Sequence, residues 1–73
     1  MSYPEMTPVD STNVEALGYD AKNEQLYVQF LNGGLYLYTG VDQQSYDELR
    51  EAPSIGSHFN REIKPNFQHE KVG

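Results

Sequence analysis

Apolar side chains cluster or alternate in three short stretches of the first half of the chain. The clearest is residues 25–31, which is dense in the β-branched and aromatic side chains typical of a strand. Asn32 and Gly33 follow, a dipeptide that readily accepts the positive φ angles of a tight hairpin turn. Residues 34–39 then predict the returning strand, and partial alternation over residues 14–19 predicts a strand before the hairpin.

The spacing of apolar residues becomes helical after the hairpin. Asp42 is a favourable N-cap residue, and the apolar side chains that follow it recur at helical intervals. We therefore predict a helix over residues 43–51 that ends before Pro53. Ser54 can cap a second, shorter helix in which apolar residues recur every four positions up to Ile63.

The order of these elements predicts an α+β domain. We expect a three-stranded antiparallel β-meander followed by two short helices packed on one face, in the order β-β-β-α-α. The single domain should span residues 11–67. The polar, proline-spaced residues 1–10 are expected to form a flexible N-terminal arm, and residues 68–73 a frayed C-terminal tail.

The length of the hairpin turn decides which face of the sheet carries the tyrosines, and the sequence allows two lengths. A two-residue turn, Asn32-Gly33, places Tyr36 and Tyr38 on the face opposite the apolar residues of the preceding strand, as an exposed aromatic platform. A three-residue loop that also includes Gly34 moves both tyrosines into the core, because a one-residue change of register turns every side chain to the other face. In the first alternative the tyrosines are a binding surface, and in the second they stabilise the fold.

Length and charge narrow the classes of function. The chain has 73 residues, no cysteine and a net charge of −6, so we expect a single domain without disulfides or Cys-ligated zinc. An acidic chain argues against general binding to nucleic acid or anionic membranes, since phosphate affinity depends on Lys and Arg. The charge is uneven, because Lys22 is the only basic residue before Arg50 and the remainder is slightly basic. No targeting signal or membrane-length apolar stretch occurs, so we expect a cytoplasmic protein without membrane contact.

Side chains that commonly carry chemistry are sparse. His58 and His69 are the only histidines, and they lack the paired spacing of a metal site. We therefore expect no enzyme, no metal and no cofactor. His58, Asn60, Arg61 and Lys64 lie within seven residues and gather hydrogen-bond donors and positive charge. This cluster is either ordinary solvent-exposed surface or a small patch that contacts an anion such as an RNA phosphate.

A longer pattern of residues resembles a known family. The pattern consists of Ser11, Gly18-Tyr19, Leu26-x-Val28-x-Phe30, Gly34-x-Tyr36-x-Tyr38, Gly40-Val41 and Tyr46-x-x-Leu49-x-x-Ala52-x-Ser54-x-Gly56-x-x-Phe59-Asn60-x-x-Ile63-Lys64. It resembles the KTSC domain over about residues 11–67. That family occurs as small stand-alone bacterial and phage proteins and at the C-terminus of some lysyl-tRNA synthetases. The resemblance implies no established activity, and the synthetase fusion suggests RNA binding by association alone.

These observations together predict a small non-enzymatic binding module of the KTSC type, with RNA as the first expected partner. The alternative is a protein-interaction module, or a small phage or bacterial accessory protein that acts on a host protein. We expect a monomer or a weak homodimer. The residues expected to contact nucleic acid are Tyr36, Tyr38, His58, Asn60, Arg61 and Lys64.

Overall fold

The computed structural model describes residues 4–73. Its backbone forms a five-stranded antiparallel sheet in which the strands are neighbours in chain order. The strands are β1 (Thr7–Pro8), β2 (Val14–Asp20), β3 (Gln25–Phe30), β4 (Leu35–Thr39) and β5 (Gln68–Lys71). Between β4 and β5 the chain forms α1 (Gln43–Glu51) and α2 (Ile55–His58), and α2 continues directly into one π-helical turn (Phe59–Ile63), called the π-turn below.

The sheet has two strands more than the three-stranded meander expected from the sequence. β1 and β5 lie in the segments expected to be an arm and a tail, and every residue of both strands is exposed. β1 pairs with β2, and β5 pairs along the whole of β4 but its first residue. Both strands are therefore held by backbone pairing to a neighbouring strand. Because neither strand buries a side chain, neither needs an alternation of apolar residues that the sequence would show. The α+β class agrees with the prediction, and residues 1–3 of the expected arm lie outside the described residues.

Both helices begin where local capping signals predict. α1 covers the predicted range, and the Asp42 carbonyl oxygen accepts its first hydrogen bond from the Tyr46 N–H at 3.1 Å. The Ser54 hydroxyl oxygen accepts a hydrogen bond from the Ser57 N–H at 3.4 Å and so caps α2. Pro53 lies between the helices, outside both. These element limits follow from a few neighbouring residues, which explains why the sequence predicted them.

The register of the β3–β4 hairpin differs from the register of both alternatives considered above. Leu26 pairs with Tyr38 and Val28 pairs with Tyr36, so the loop consists of residues 31–33 and Phe30 faces Gly34. The loop has three residues, but it begins one residue earlier than the three-residue alternative. A shift of two in the pairing keeps side chains on the same face. The tyrosines consequently lie on the apolar face, as that alternative requires.

Three features explain the observed loop. Gly33 has φ 99°, a left-handed conformation that favours glycine. The Asn32 Oδ1 accepts a hydrogen bond from the Gly34 N–H at 3.0 Å. The Leu31 N–H donates to the carbonyl oxygen of Asn13, before β2, at 3.0 Å. Because that N–H is used by another part of the chain, Leu31 cannot extend the ladder between β3 and β4.

The core lies between the sheet and the helices. Its side chains are no more than 9% exposed and come from Val14, Leu17, Leu26, Val28, Tyr38, Val41, Leu49, Ile55, Phe59 and Ile63. On the opposite face of the sheet, Met6 lies against Gly18, and Tyr27 is 6% exposed. Within residues 4–73, no helix combines the length and the apolar character needed to cross a membrane.

Candidate functional site

A cleft of about 370 Å³ opens where the hairpin loop, β4, β5 and the π-turn meet. It is lined by Asn13, Phe30, Asn32, Tyr36, Tyr38, Phe59, Asn60, Lys64 and His69. These residues come from five separate stretches of the chain, so no local sequence pattern could describe the cleft as a unit. Four are Phe or Tyr residues, three are asparagines, and the other two are Lys64 and His69.

The aromatic rings of the cleft support one another edge to face. Phe30 meets Tyr36 with ring centroids 5.5 Å apart and an interplanar angle of 82°. Phe59 meets Phe30 at 5.5 Å and Tyr38 at 5.2 Å, both close to perpendicular. Such edge-to-face contacts are favourable and hold the rings in fixed orientations. Tyr38 is 2% exposed whereas Tyr36 is half-buried, so the two tyrosines share a face but differ in access.

Burial also changes the acidity of the deeper tyrosine. The pKa of the Tyr38 phenol is raised, first by burial and then by the neighbouring Tyr36. Tyr38 is therefore neutral over the physiological range, and its ring belongs to the core as much as to the cleft. The two interpretations of the tyrosines, core and binding surface, are not exclusive in this structure.

β5 supplies one wall of the cleft through His69. The His69 ring stacks on Tyr38, with centroids 5.0 Å apart and an interplanar angle of 25°, and lies 6.0 Å from Tyr36. His69 pairs directly with Tyr38 across the β4–β5 ladder. This strand falls in the segment expected to be frayed, so His69 was not predicted as a cleft residue.

The π-turn places Asn60 and Lys64 at the cleft. Phe59 and Ile63 point into the core with 2% and 1% exposure and anchor the turn. The Lys64 N–H donates to the Phe59 carbonyl oxygen at 2.9 Å, the wider hydrogen bond that defines a π-helical turn. Pro65 follows and has no N–H with which to continue the helix. π-turns are rare and frequently occur at functional sites.

The structure separates the six residues expected to contact nucleic acid into two groups. Tyr36, Tyr38, Asn60 and Lys64 line the cleft together. Two residues do not line it. His58 lies in a second depression of about 260 Å³ beside the carboxylates of Glu48 and Glu62, and Arg61 is exposed with its guanidinium 3.6 Å from Glu62. This division follows from helical geometry, because adjacent residues of a helical segment point in different directions. His58 and Arg61 therefore do not share the direction of Asn60 and Lys64.

The cleft is locally free of negative charge in an acidic chain. No Asp or Glu belongs to its lining. Within residues 4–73, no carboxylate pairs with the Lys64 ammonium group, in contrast to Arg50 and Arg61. The same residues contain no cluster of His, Cys, Asp or Glu side chains suited to a metal ion. The cleft can therefore offer aromatic surface, amide groups and one positive charge.

Two further asparagines of the cleft were also missed from the sequence. Asn13 precedes β2, and Asn32 lies in the hairpin loop, where turn-forming asparagines are common. A turn residue has an ordinary structural explanation, so neither asparagine gave a separable signal of binding. Their proximity to Asn60 arises only when the hairpin loop folds over the π-turn side of the sheet.

Three comparisons relate this chain to known proteins. The KTSC domain family matches residues 10–67. A protein of Tsukamurella paurometabola is 40% identical over 63 residues, which cover 86% of this chain and 94% of that protein. A lysine–tRNA ligase of Nostoc punctiforme is 32% identical over 72 residues, which cover 99% of this chain but 13% of the ligase. The crystal structure of a KTSC domain protein from Yersinia pestis superposes with a TM-score of 0.91 at 35% identity, covering 94% of this chain and 97% of that chain.

Proposed function

This chain belongs to the KTSC domain family, and we propose that it is a non-enzymatic module that binds single-stranded RNA with one nucleotide in the cleft. One observation carries the proposal: aromatic rings, asparagine amides and a lysine that has no carboxylate partner among residues 4–73 converge in one concave site. Each of these groups recognises a different part of a nucleotide.

The dimensions and surface of the cleft suit one unstacked nucleotide. Small-molecule sites typically have volumes of about 300–1,000 Å³ and combine aromatic walls with a few polar groups, and this cleft of about 370 Å³ lies at the lower end of that range. The half-buried Tyr36 ring and the His69 ring offer π-surface to a base, which is the usual source of affinity for single strands. The Lys64 ammonium group supplies the positive charge for a neighbouring phosphate.

Relatives of this chain support RNA as the ligand. Three of them are lysine–tRNA ligases, from Nostoc punctiforme, Nostoc sp. and Trichormus variabilis, and they align with 99% of this chain. By their name those enzymes act on tRNA, so a domain of this kind occurs beside an RNA substrate. The chain spans 13% of the length of each ligase, and the ligase activity is not proposed for it.

The charge of the chain predicts weak binding. With a net charge of −6 and one lysine in the cleft, few counterions are released when a strand binds. We therefore expect a dissociation constant of about 10–100 μM and a shallow dependence on salt.

A protein partner is the second candidate, and it has less support. That interpretation depends on exposed apolar side chains, which mark protein interfaces when they form a patch. Among residues 4–73, Leu31 is the one large hydrophobic residue classed as exposed, at 55%. A single exposed leucine is ordinary for a small domain, whereas the cleft combines several features of a nucleotide site.

The proposal predicts that Lys64→Ala weakens RNA binding while Lys22→Ala does not. Both substitutions remove one positive charge, but Lys22 is exposed in the β2–β3 turn and is absent from the cleft lining. Loss of the phosphate contact should raise the dissociation constant at least about threefold. Fluorescence anisotropy of an end-labelled single-stranded RNA at low salt measures both variants beside the wild type.

Two results would contradict RNA binding at the cleft. The first is an unchanged anisotropy with single-stranded RNA and tRNA up to about 100 μM protein, the weak limit of non-specific binding. The second is an equal loss in the two lysine variants, because that result assigns the affinity to overall charge. Circular dichroism of both variants checks that the fold is intact.

A further inference from the structure

We propose that the cleft prefers uracil over cytosine, because Asn13 and Asn32 present fixed N–H donors to the edge of the bound base. The inference rests on the RNA binding proposed above and adds the class of base. Uracil and cytosine differ at one position of this edge, where uracil carries a carbonyl oxygen and cytosine an exocyclic NH₂ group. A hydrogen-bond network sets the orientation of both amides and supports this preference.

Ser11 determines which way the Asn13 amide faces. The Ser11 hydroxyl oxygen accepts hydrogen bonds from the N–H groups of Val14 at 3.3 Å and Asn13 at 3.4 Å. A hydroxyl has two acceptor positions and one proton, so that proton is left to donate to the Asn13 side chain at 3.1 Å. The atom facing Ser11 must therefore be Oδ1. The Nδ2 group of Asn13 has no hydrogen-bond acceptor within residues 4–73 and belongs to a side chain that lines the cleft.

The Asn32 amide is oriented in the same sense by the hairpin loop. Its Oδ1 accepts a hydrogen bond from the Gly34 N–H at 3.0 Å. The Nδ2 group of an asparagine can only donate, so the atom that faces this N–H must be Oδ1. The remaining polar group is again Nδ2, in another side chain that lines the cleft. Two asparagines thus contribute donors whose acceptor atoms are already occupied.

The third asparagine does not oppose this preference. Within residues 4–73 the Asn60 side chain has no hydrogen-bond partner, so its amide can turn to offer either oxygen or nitrogen. It therefore suits a uracil or a cytosine equally. Discrimination is left to Asn13 and Asn32 at the position where uracil carries the O4 carbonyl. Cytosine carries an exocyclic amine at that position, and neither Nδ2 group can accept a hydrogen bond from it.

Gly56 keeps Asn13 in place by having no side chain. A Cβ at this position would stand 2.5 Å from Oδ1 and 3.3 Å from Cγ of Asn13, and 3.5 Å from the Ser11 hydroxyl oxygen. An alanine would therefore displace the end of the flexible Asn13 side chain without straining the backbone, since Gly56 has no positive φ. Gly56 therefore acts as a positioning residue for Asn13. Position 56 is buried, and the nearby Asn13 side chain leaves no room there for a larger residue.

The direct test compares end-labelled oligouridylate with oligocytidylate of equal length by anisotropy. Both are pyrimidines with one phosphate per nucleotide, so backbone contacts contribute equally. We expect oligouridylate to bind about fivefold more tightly, the effect of one well-formed hydrogen bond. Equal affinities would overturn the preference and leave RNA binding intact, because donors that contact only phosphate do not distinguish bases. Failure of both to bind would overturn the proposed function and this inference together.

Asn13→Asp tests the donor itself. The substitution keeps an oxygen toward Ser11 and replaces Nδ2 with an acceptor, so the uracil-to-cytosine affinity ratio should fall to about one or below. Thr12→Asp is the matched control, because Thr12 is exposed and its substitution adds the same negative charge one residue away from Asn13. It should weaken both oligonucleotides and leave their ratio unchanged. An unchanged ratio in Asn13→Asp would contradict the role of Asn13.

Gly56→Ala tests the positioning of Asn13 without removing its amide. We expect a fold close to the wild type by circular dichroism and a smaller uracil-to-cytosine ratio. The double variant Gly56→Ala with Asn13→Ala should have the same ratio as Asn13→Ala alone, since both act through one side chain. Additive effects of the two substitutions would show that Gly56 acts by another route and would overturn its positioning role.

Discussion

Tyr19 connects the sheet to the segment that leads into α1. Its hydroxyl donates a hydrogen bond of 2.6 Å to the carbonyl oxygen of Val41, which is fully buried. Its ring stacks on Tyr46 of α1, with centroids 4.5 Å apart and an interplanar angle of 7°. Burial, and after it the neighbouring carboxylates, raises the pKa of the Tyr19 phenol. A single side chain therefore joins two layers of the domain by a polar and an aromatic contact.

Replacement of Tyr19 by Phe should cost about 1 kcal/mol in the free energy of unfolding. The substitution keeps the stacked ring but leaves the Val41 carbonyl oxygen without its donor. Tyr46→Phe is the matched control. It removes the hydroxyl of the other ring in the Tyr19–Tyr46 stack, keeps that stack and leaves the hydrogen bond to Val41 in place. Urea denaturation followed by circular dichroism measures both. Equal losses in the two variants would mean that the hydrogen bond contributes nothing measurable.

The β3–β4 hairpin is the element that brings the cleft residues together. Its observed register turns Tyr36 and Tyr38 toward the helices, and its loop carries Asn32. The loop depends on Gly33 at φ 99°. β5 completes the site by placing His69 against Tyr38, with no buried side chain of its own strand. β3 with the hairpin loop and β5 thus line the same cleft from the two sides of β4.

Gly33→Ala should destabilise the domain by about 1 kcal/mol. An L-residue at this positive φ is strained whatever space surrounds it, and no atom lies within 4 Å of the Cβ position. Gly56→Ala is the control, because its backbone conformation suits any residue and the new methyl group meets the movable end of Asn13. Thermal unfolding should show a larger decrease for Gly33→Ala. The opposite order would indicate that the Asn13 side chain cannot move.

At the scale of the whole molecule, a small core depends on partly buried phenols. Burial is the first cause of a raised pKa in three tyrosines, Tyr19, Tyr38 and Tyr46. A phenol whose pKa is higher in the folded state than in the unfolded state stabilises the fold while it is neutral. That contribution is complete below the unfolded pKa of about 10 and is lost as the pH rises through the folded value.

We therefore expect the free energy of unfolding to decrease as the pH is raised above about 10. Part of the tyrosine absorbance change should therefore occur at higher pH than in the unfolded chain, as Tyr19, Tyr38 and Tyr46 ionise. Tyr38→Phe removes one of the late phenols, so its stability should decline less steeply with pH than that of the wild type. Denaturation at several alkaline pH values tests this, and identical slopes would assign the decline to other groups.

Elements set by neighbouring residues were predictable. The limits of α1 follow from Asp42 and Pro53, the cap of α2 from Ser54, and the existence of the hairpin from two strand-like stretches around Asn32-Gly33. Of the six residues expected at the site, Tyr36, Tyr38, Asn60 and Lys64 line the cleft, and their contact with nucleic acid stays a prediction. The helix limits, the α2 cap and the hairpin share one cause, which is that the information for each lies within a few residues of it.

The α+β class, the hairpin and both helices could be read from the sequence, because propensity, periodicity and capping act over short distances. Tertiary structure alone decided the register of the hairpin, since the Leu31 N–H bonds to Asn13 and so leaves the ladder. It also decided β1 and β5, which pair through backbone groups that every residue possesses. The cleft belongs to the same class of feature, because Asn13, Asn32, Asn60 and His69 meet only after distant strands have paired.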